Sequence, residues 1–175
     1  MSIYAFEGKR PTIAPTAFIH ESAQIIGDVV IGENCFVGAG AIIRADYGII
    51  RIGDRVAVEE GCHIHVNPGG TCHICSDVIL GHGAIVHCSE IQSNARLGMG
   101  AIVSLGSVVE EWVVIGDGAV VPPNQKVTTG RVFVGNPAKD IRGLSSQEKE
   151  DTAWAIKLYA DLCDRYRASL ERLSP

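Results

Sequence analysis

Residues 91–127, IQSNARLGMGAIVSLGSVVEEWVVIGDGAVVPPNQKV, place an aliphatic side chain at every sixth position: Ile91, Leu97, Val103, Val109, Ile115, Val121 and Val127. The same spacing runs upstream through Ile13, Ile19, Ile25, Ile31, Val37 and Ile43. It resets at Ile52, Val58 and Ile64, and again at Ile74, Leu80 and Val86. Four places after the aliphatic stands a small residue, as at Cys35, Ala41, Cys62, Ala84, Ala95, Ala101 and Ala119. Glycine often follows the aliphatic directly, as at Gly32, Gly81, Gly98 and Gly116. A period of six matches neither a helix nor the two-residue alternation of a half-buried strand. It matches a coil with three flat faces, each one hexapeptide long, with the aliphatic inside and the small residue at a tight corner. A β-sandwich would instead show alternation of period two with hairpin signals every 8–12 residues, and neither is present. The reading is a triangular parallel β-helix of about six coils, stacked about 4.8 Å apart.

The periodic region predicts a solenoid domain over residues 1–135. Residues 136–175 read as a crossover segment and a C-terminal helix packed on the solenoid. Ser145 and Glu148 form a capping-box signature. Ala155, Tyr159, Leu162, Tyr166, Leu170 and Leu173 then recur at intervals of three or four, which predicts the buried stripe of a long, structural helix.

Composition narrows the functional classes. The 175 residues are 46% hydrophobic but only 6% aromatic, so the core is built of small aliphatics. A net charge of −5 argues against a nucleic-acid partner, whose phosphates call for Lys and Arg. No apolar run approaches the roughly 18 residues of a membrane span, and the start, MSIYAFEGKR, has no signal-peptide core. The expected location is cytoplasmic, where six cysteines read as small buried hydrophobes without disulfides. Cys72 and Cys75 form one Cys-x-x-Cys pair without a second, a weak metal or redox signal. Cys88 stands beside His87 and reads as packing.

The repeat frame sorts the histidines. His65 follows the inward Ile64, and His87 follows the inward Val86. Three hexapeptide steps, one carrying a four-residue insertion, separate these two aliphatics. His65 and His87 therefore occupy one slot on adjacent coils, about 5 Å apart. His82 lies one face earlier, about 120° around the coil. It reaches the other two only if three solenoids stand in parallel around a threefold axis, so the spacing predicts a homotrimer with inter-subunit sites. Three neutral imidazoles with an open position suit Zn2+, or alternatively Fe2+ or Co2+. Such a metal lowers the pKa of bound water to about 7.

The hexapeptide frame together with IIRADYG (42–48), VEEGCHIHV (58–66), LGHGAIVHC (80–88), LGMGAIV (97–103) and VGNPAKDIR (134–142) resembles the γ-class carbonic anhydrase family. Within it, the opening residues 1–32 look most like the accessory proteins of phenylacetate and carnitine operons. The resemblance implies a left-handed coil, a trimer, and a lyase that hydrates CO2 to bicarbonate with metal-bound hydroxide. It assigns the metal to His65, His82 and His87. It makes Arg44 and Asp46 an ion pair across the subunit interface, a bidentate contact that would fix the register of two solenoids. Glu59 stands where the family has a glutamine that orients the hydroxide. An ionised carboxylate accepts but cannot donate a hydrogen bond, and its charge should raise the pKa of the water. A family tyrosine corresponds to Phe133, which removes a hydroxyl near the site. The family's acidic proton-shuttle loop is replaced by Val66 and Asn67-Pro68-Gly69-Gly70. Two alternatives remain open: an acyl-CoA thioesterase using the same metal, with a CoA-sized groove at the subunit boundary, and a non-catalytic metal-binding trimeric scaffold.

Overall fold

A computed structural model describes residues 2–87 and 89–173. All nineteen aliphatics of the repeat fall into three inward columns of parallel pairs. One column runs Ile25, Ile43, Ile64, Val86, Val103, Val121. The second runs Ile19, Val37, Val58, Leu80, Leu97, Ile115. The third runs Ile13, Ile31, Ile52, Ile74, Ile91, Val109, Val127. Nearly all of these side chains are fully buried. Their burial, at about 25 cal/mol per Å2 of apolar surface, is the main stabilising term of a chain with few aromatics.

The coil is a left-handed parallel β-helix of about seven turns, one more than the sequence count. The extra turn comes from both ends. Ile3, in the Ser2–Tyr4 strand, pairs with Ile25, and Phe133, in the Arg131–Val134 strand, pairs with Ile115. Both lie outside the strict aliphatic period. The Gln24–Ile31 and Ile42–Ile52 strands run around a corner and join two faces into a twelve-stranded sheet; the third face is an eight-stranded sheet. Ala23, Cys35, Ala41, Cys62, Ala84, Ala95, Ala101 and Ala119 are buried at the corners, where a larger side chain would displace the neighbouring coil.

The Lys139–Gly143 strand turns back antiparallel to Arg131–Val134 and covers the last open edge. The C-terminal helix, Ser146–Ser169, follows. Ser145 and Glu148 form the expected capping box. Burial pushes the Glu148 carboxyl up, but hydrogen bonds from Arg142 and Ser145 outweigh it and hold the group far below the usual range.

The helix packs on the eight-stranded face. Tyr159 and Tyr166 stack about Phe36 at 5.4 Å each, and Phe18 adds a fourth ring 5.5 Å from Phe36. Ala155, Tyr159, Leu162 and Tyr166 of the expected stripe pack half-buried against the solenoid, but the stripe is not complete as expected. The fully enclosed positions are Thr152, Ile156 and Cys163, whereas Leu170 caps the helix and Leu173 lies exposed beyond it. Thr152 tolerates burial because its hydroxyl donates to the Glu148 carbonyl at 2.8 Å. Among the described residues, no helix is long and apolar enough to cross a membrane.

Candidate functional site

His65 and His87 are direct partners in the parallel ladder between the His63–His65 and Ile85–His87 strands. Their rings stack with centroids 5.3 Å apart and an interplanar angle of 24°. Arg44 occupies the same rung position one coil earlier, opposite His65. The three side chains thus line one outward edge, because residues flanking an inward aliphatic must point out of the coil.

Asp46 ties this edge together. It forms an ion pair with Arg44 and lies 3.1 Å from Nε2 of His65. Within the lone protomer, then, Arg44 and Asp46 pair with each other. The reason is local: the two residues sit two apart on one strand and project to the same side. Burial pushes Asp46 up, but hydrogen bonds with His65 and Arg44 and the Arg44 charge outweigh it and hold the carboxyl below its usual range. Burial, and then the neighbouring His65, push His87 down, which favours the neutral imidazole that a metal requires.

His82 lies on the neighbouring corner and is 51% exposed at its side chain. Each ring nitrogen meets a carboxylate: Nδ1 lies 2.7 Å from Glu60 and Nε2 lies 3.1 Å from Glu59. The His82 backbone N–H also donates to Glu59 at 3.1 Å. Glu59 is only 6% exposed, so these contacts hold it in place. Glu60, which sequence reasoning passed over, is the closer partner. The register brings it there: the Gly83 N–H donates to the Glu60 carbonyl one coil away.

Among the described residues, no single protomer gathers three side chains able to hold a metal. The donor chemistry nevertheless suits one. Two adjacent imidazoles share an edge, one of them braced by an outer carboxylate, and a third imidazole on another face is backed by Glu60 at Nδ1, with Nε2 available to a metal only on leaving Glu59.

Other expected residues lie elsewhere. Phe133 is 5% exposed, faces the solenoid core, and stands three strands along its sheet from Leu80. At about 4.8 Å per strand, a hydroxyl there would not reach His82 of the same protomer. Cys72 is buried in the Thr71–Ile74 strand, while Cys75 is half-buried at the next corner. Cys88 lies outside the described residues. Burial pushes the Cys35 and Cys62 thiols up to about 12, which makes them poor nucleophiles or ligands.

A groove of about 570 Å3 opens beside Glu59 and His82, between the C-terminal helix and the solenoid. Ile79, Val114, Trp154 and Leu158 contribute its apolar lining, with Arg96 and Arg142 among its polar residues. Burial, and then the Glu59 carboxylate, push the Tyr159 hydroxyl in this groove well up.

A three-faced left-handed coil with imidazoles on its outward edges defines a hexapeptide-repeat protein. A family model described as bacterial transferase hexapeptide (six repeats) matches residues 10–45. The carnitine operon protein CaiE of Proteus sp. (strain LE138) is 33% identical over 175 residues, covering 100% of this chain and 89% of that protein. Among solved structures, a hexapeptide transferase family protein from Anaplasma phagocytophilum is 30% identical with a TM-score of 0.91, over 94% of this chain and 98% of that one. A Bacillus cereus structure is 34% identical with a TM-score of 0.94, over 95% and 97%. The chain belongs to the hexapeptide-repeat, left-handed β-helix family that includes the CaiE proteins.

Proposed function

We propose that this chain forms a homotrimer in which His65 and His87 of one protomer and His82 of the next hold a divalent metal, and that the assembly hydrates CO2 to bicarbonate. The observation that carries this reading is the in-register, stacked His65–His87 pair. A ladder of outward apolar side chains runs beside it: Ile42, Ile85, Ile102 and Val120 share one row with His63. Ile85 is 39% exposed in the lone protomer. Covering that row with a second copy would bury apolar surface and bring an outside imidazole to the edge.

Zn2+ suits such a donor set, and Fe2+ or Co2+ would serve similarly. Bound there, the metal would supply water acidified to a pKa of about 7. The chain's own residues do the rest. Asp46, held by Arg44, orients His65. Glu60 orients His82. Glu59 is an acceptor fixed beside His82, able to take a hydrogen bond from water but not, when ionised, to donate one to a substrate oxygen.

A second reading is hydrolysis of an acyl-CoA thioester at the same edge. The groove beside Glu59 and His82 favours it, because an apolar channel with guanidinium groups suits an acyl arm bearing anionic groups. The transferase names of the family match and of the Anaplasma relative also lean away from hydration and toward a larger, group-bearing substrate.

The deciding experiment is subunit complementation. H82A and H65A/H87A proteins should each bind little metal. Trimers mixed from the two should regain about one site each, since only one of their three boundaries pairs an intact edge with an intact His82. Stopped-flow CO2 hydration and a panel of acyl-CoA thioesters then separate the two activities; metal-loaded protein inert to both is a scaffold. Metal uptake by wild type without recovery in mixed trimers rules out the shared site.

A further inference from the structure

We infer that Tyr47 is a positioning residue for the His65–His87 edge and that the turn at residues 67–70 is its brace; this rests on the metal reading above. The turn occupies the four-residue insertion between Ile64 and Ile74. Sequence comparison with the resembled family marks it only as the place where an acidic loop is missing. The structure shows a small, fully bonded element.

The Gly70 N–H donates to the Asn67 carbonyl at 2.9 Å, which closes the turn. Gly69 takes a φ of +70°, open to glycine at little cost. Its N–H donates to the Tyr47 carbonyl at 2.9 Å, and the Ile49 N–H donates to the Gly70 carbonyl at 3.0 Å. The turn therefore grips the backbone on both sides of Gly48. A Cβ on Gly48 would lie 2.3 Å from the Gly70 carbonyl oxygen and 2.8 Å from the Val66 side chain. Only glycine permits so close an approach of the two segments.

The consequence is the placement of one ring. Tyr47 meets the His65 ring edge-on, with centroids 6.3 Å apart and an angle of 76°, within the range favoured by aromatic pairs. Tyr47 is 56% exposed, so core burial does not account for its position. His65 is thereby held from three sides: Asp46 at Nε2, the His87 ring stacked on it, and the Tyr47 ring at 76° to it. A ligand imidazole fixed in this way loses less freedom when it binds a metal.

The test reads Co2+ affinity of the metal-free protein by visible absorption, without recourse to activity. Y47A should weaken Co2+ binding about three- to tenfold, the range of one aromatic pair. Y47F should bind like wild type, because the ring and not the hydroxyl makes the contact. G69V, which strains the turn, should weaken binding in the wild type yet add less than about twofold in the Y47A background, since both act through one contact. Unchanged affinity in Y47A, a Y47F as weak as Y47A, or full additivity with G69V would each overturn the role of Tyr47 while leaving the metal site standing. A wild-type protein that takes up no Co2+ would instead remove the metal reading itself, and this inference with it.

Discussion

Two outward faces of one solenoid are treated differently by the same chain. The eight-stranded face is covered by the chain's own helix: Phe18, Phe36, Ala57 and Ile79 lie buried beneath Tyr159, Tyr166 and Ile156. The face beside His65 and His87 carries an apolar row of similar character, Ile42, Ile85, Ile102 and Val120, yet among the described residues no helix packs on it. The first face is satisfied within the protomer. The second is left apolar and edged with imidazoles, and it is the surface on which the proposed trimer would close. One contributes stability to the fold, and the other is where function is sought.

That contrast can be broken most forcefully on the helix side. F36A removes the ring at the centre of the aromatic cluster and should cost about 3–5 kcal/mol of stability, measured by denaturant unfolding, while metal bound per folded protomer stays unchanged. Loss of metal in proportion to affinity rather than to folded fraction would show that the two faces are coupled. On the other face, I85R should leave protomer stability within about 0.5 kcal/mol but loosen the assembly at least about tenfold, about 1.4 kcal/mol, as read by sedimentation. An I85R protein that assembles like wild type would mean that the apolar row is not an interface.

E59Q sharpens the comparison at the corner between the faces. Glutamine keeps an acceptor for the His82 N–H, adds a donor and removes a charge. Any CO2 hydration should rise about three- to tenfold; an unchanged or lower rate would sink this account of Glu59. The smallest effect lies at the helix start. The Glu148 carboxyl is held below its unfolded value of about 4.3 by Arg142 and Ser145. A group depressed on folding contributes stability above its unfolded pKa and loses it as pH falls toward the folded one. E148Q should therefore melt about 2–4 °C lower than wild type at pH 7, and the gap should shrink below about pH 4.3. A gap that stays constant with pH would assign the effect to hydrogen bonding alone.

Much of this could be read before any coordinates. The nineteen aliphatics predicted the three columns, and counting hexapeptides placed His65 opposite His87, because each parallel coil repeats the register of the last. The capping box was equally legible, since it needs only Ser145 and Glu148 three residues apart. The inward direction of Phe133 was not legible, because it depends on its being a seventh rung, a fact hidden once the aliphatic period gives way to an aromatic. Most of the helix stripe was legible too, at Ala155, Tyr159, Leu162 and Tyr166; the burial of Thr152 was not, because period alone cannot say which polar residue will find a partner, here the Glu148 carbonyl that accepts its hydrogen bond.

Sequence alone determined the coil, its columns and the pairing of two imidazoles, all of which follow from local periodicity repeated along a one-dimensional stack. Tertiary structure alone decided that Glu60 reaches His82 and that an inserted turn sets Tyr47 against His65. Those contacts depend on where side chains point after leaving a corner, a direction set by packing between coils, which no spacing along the chain encodes.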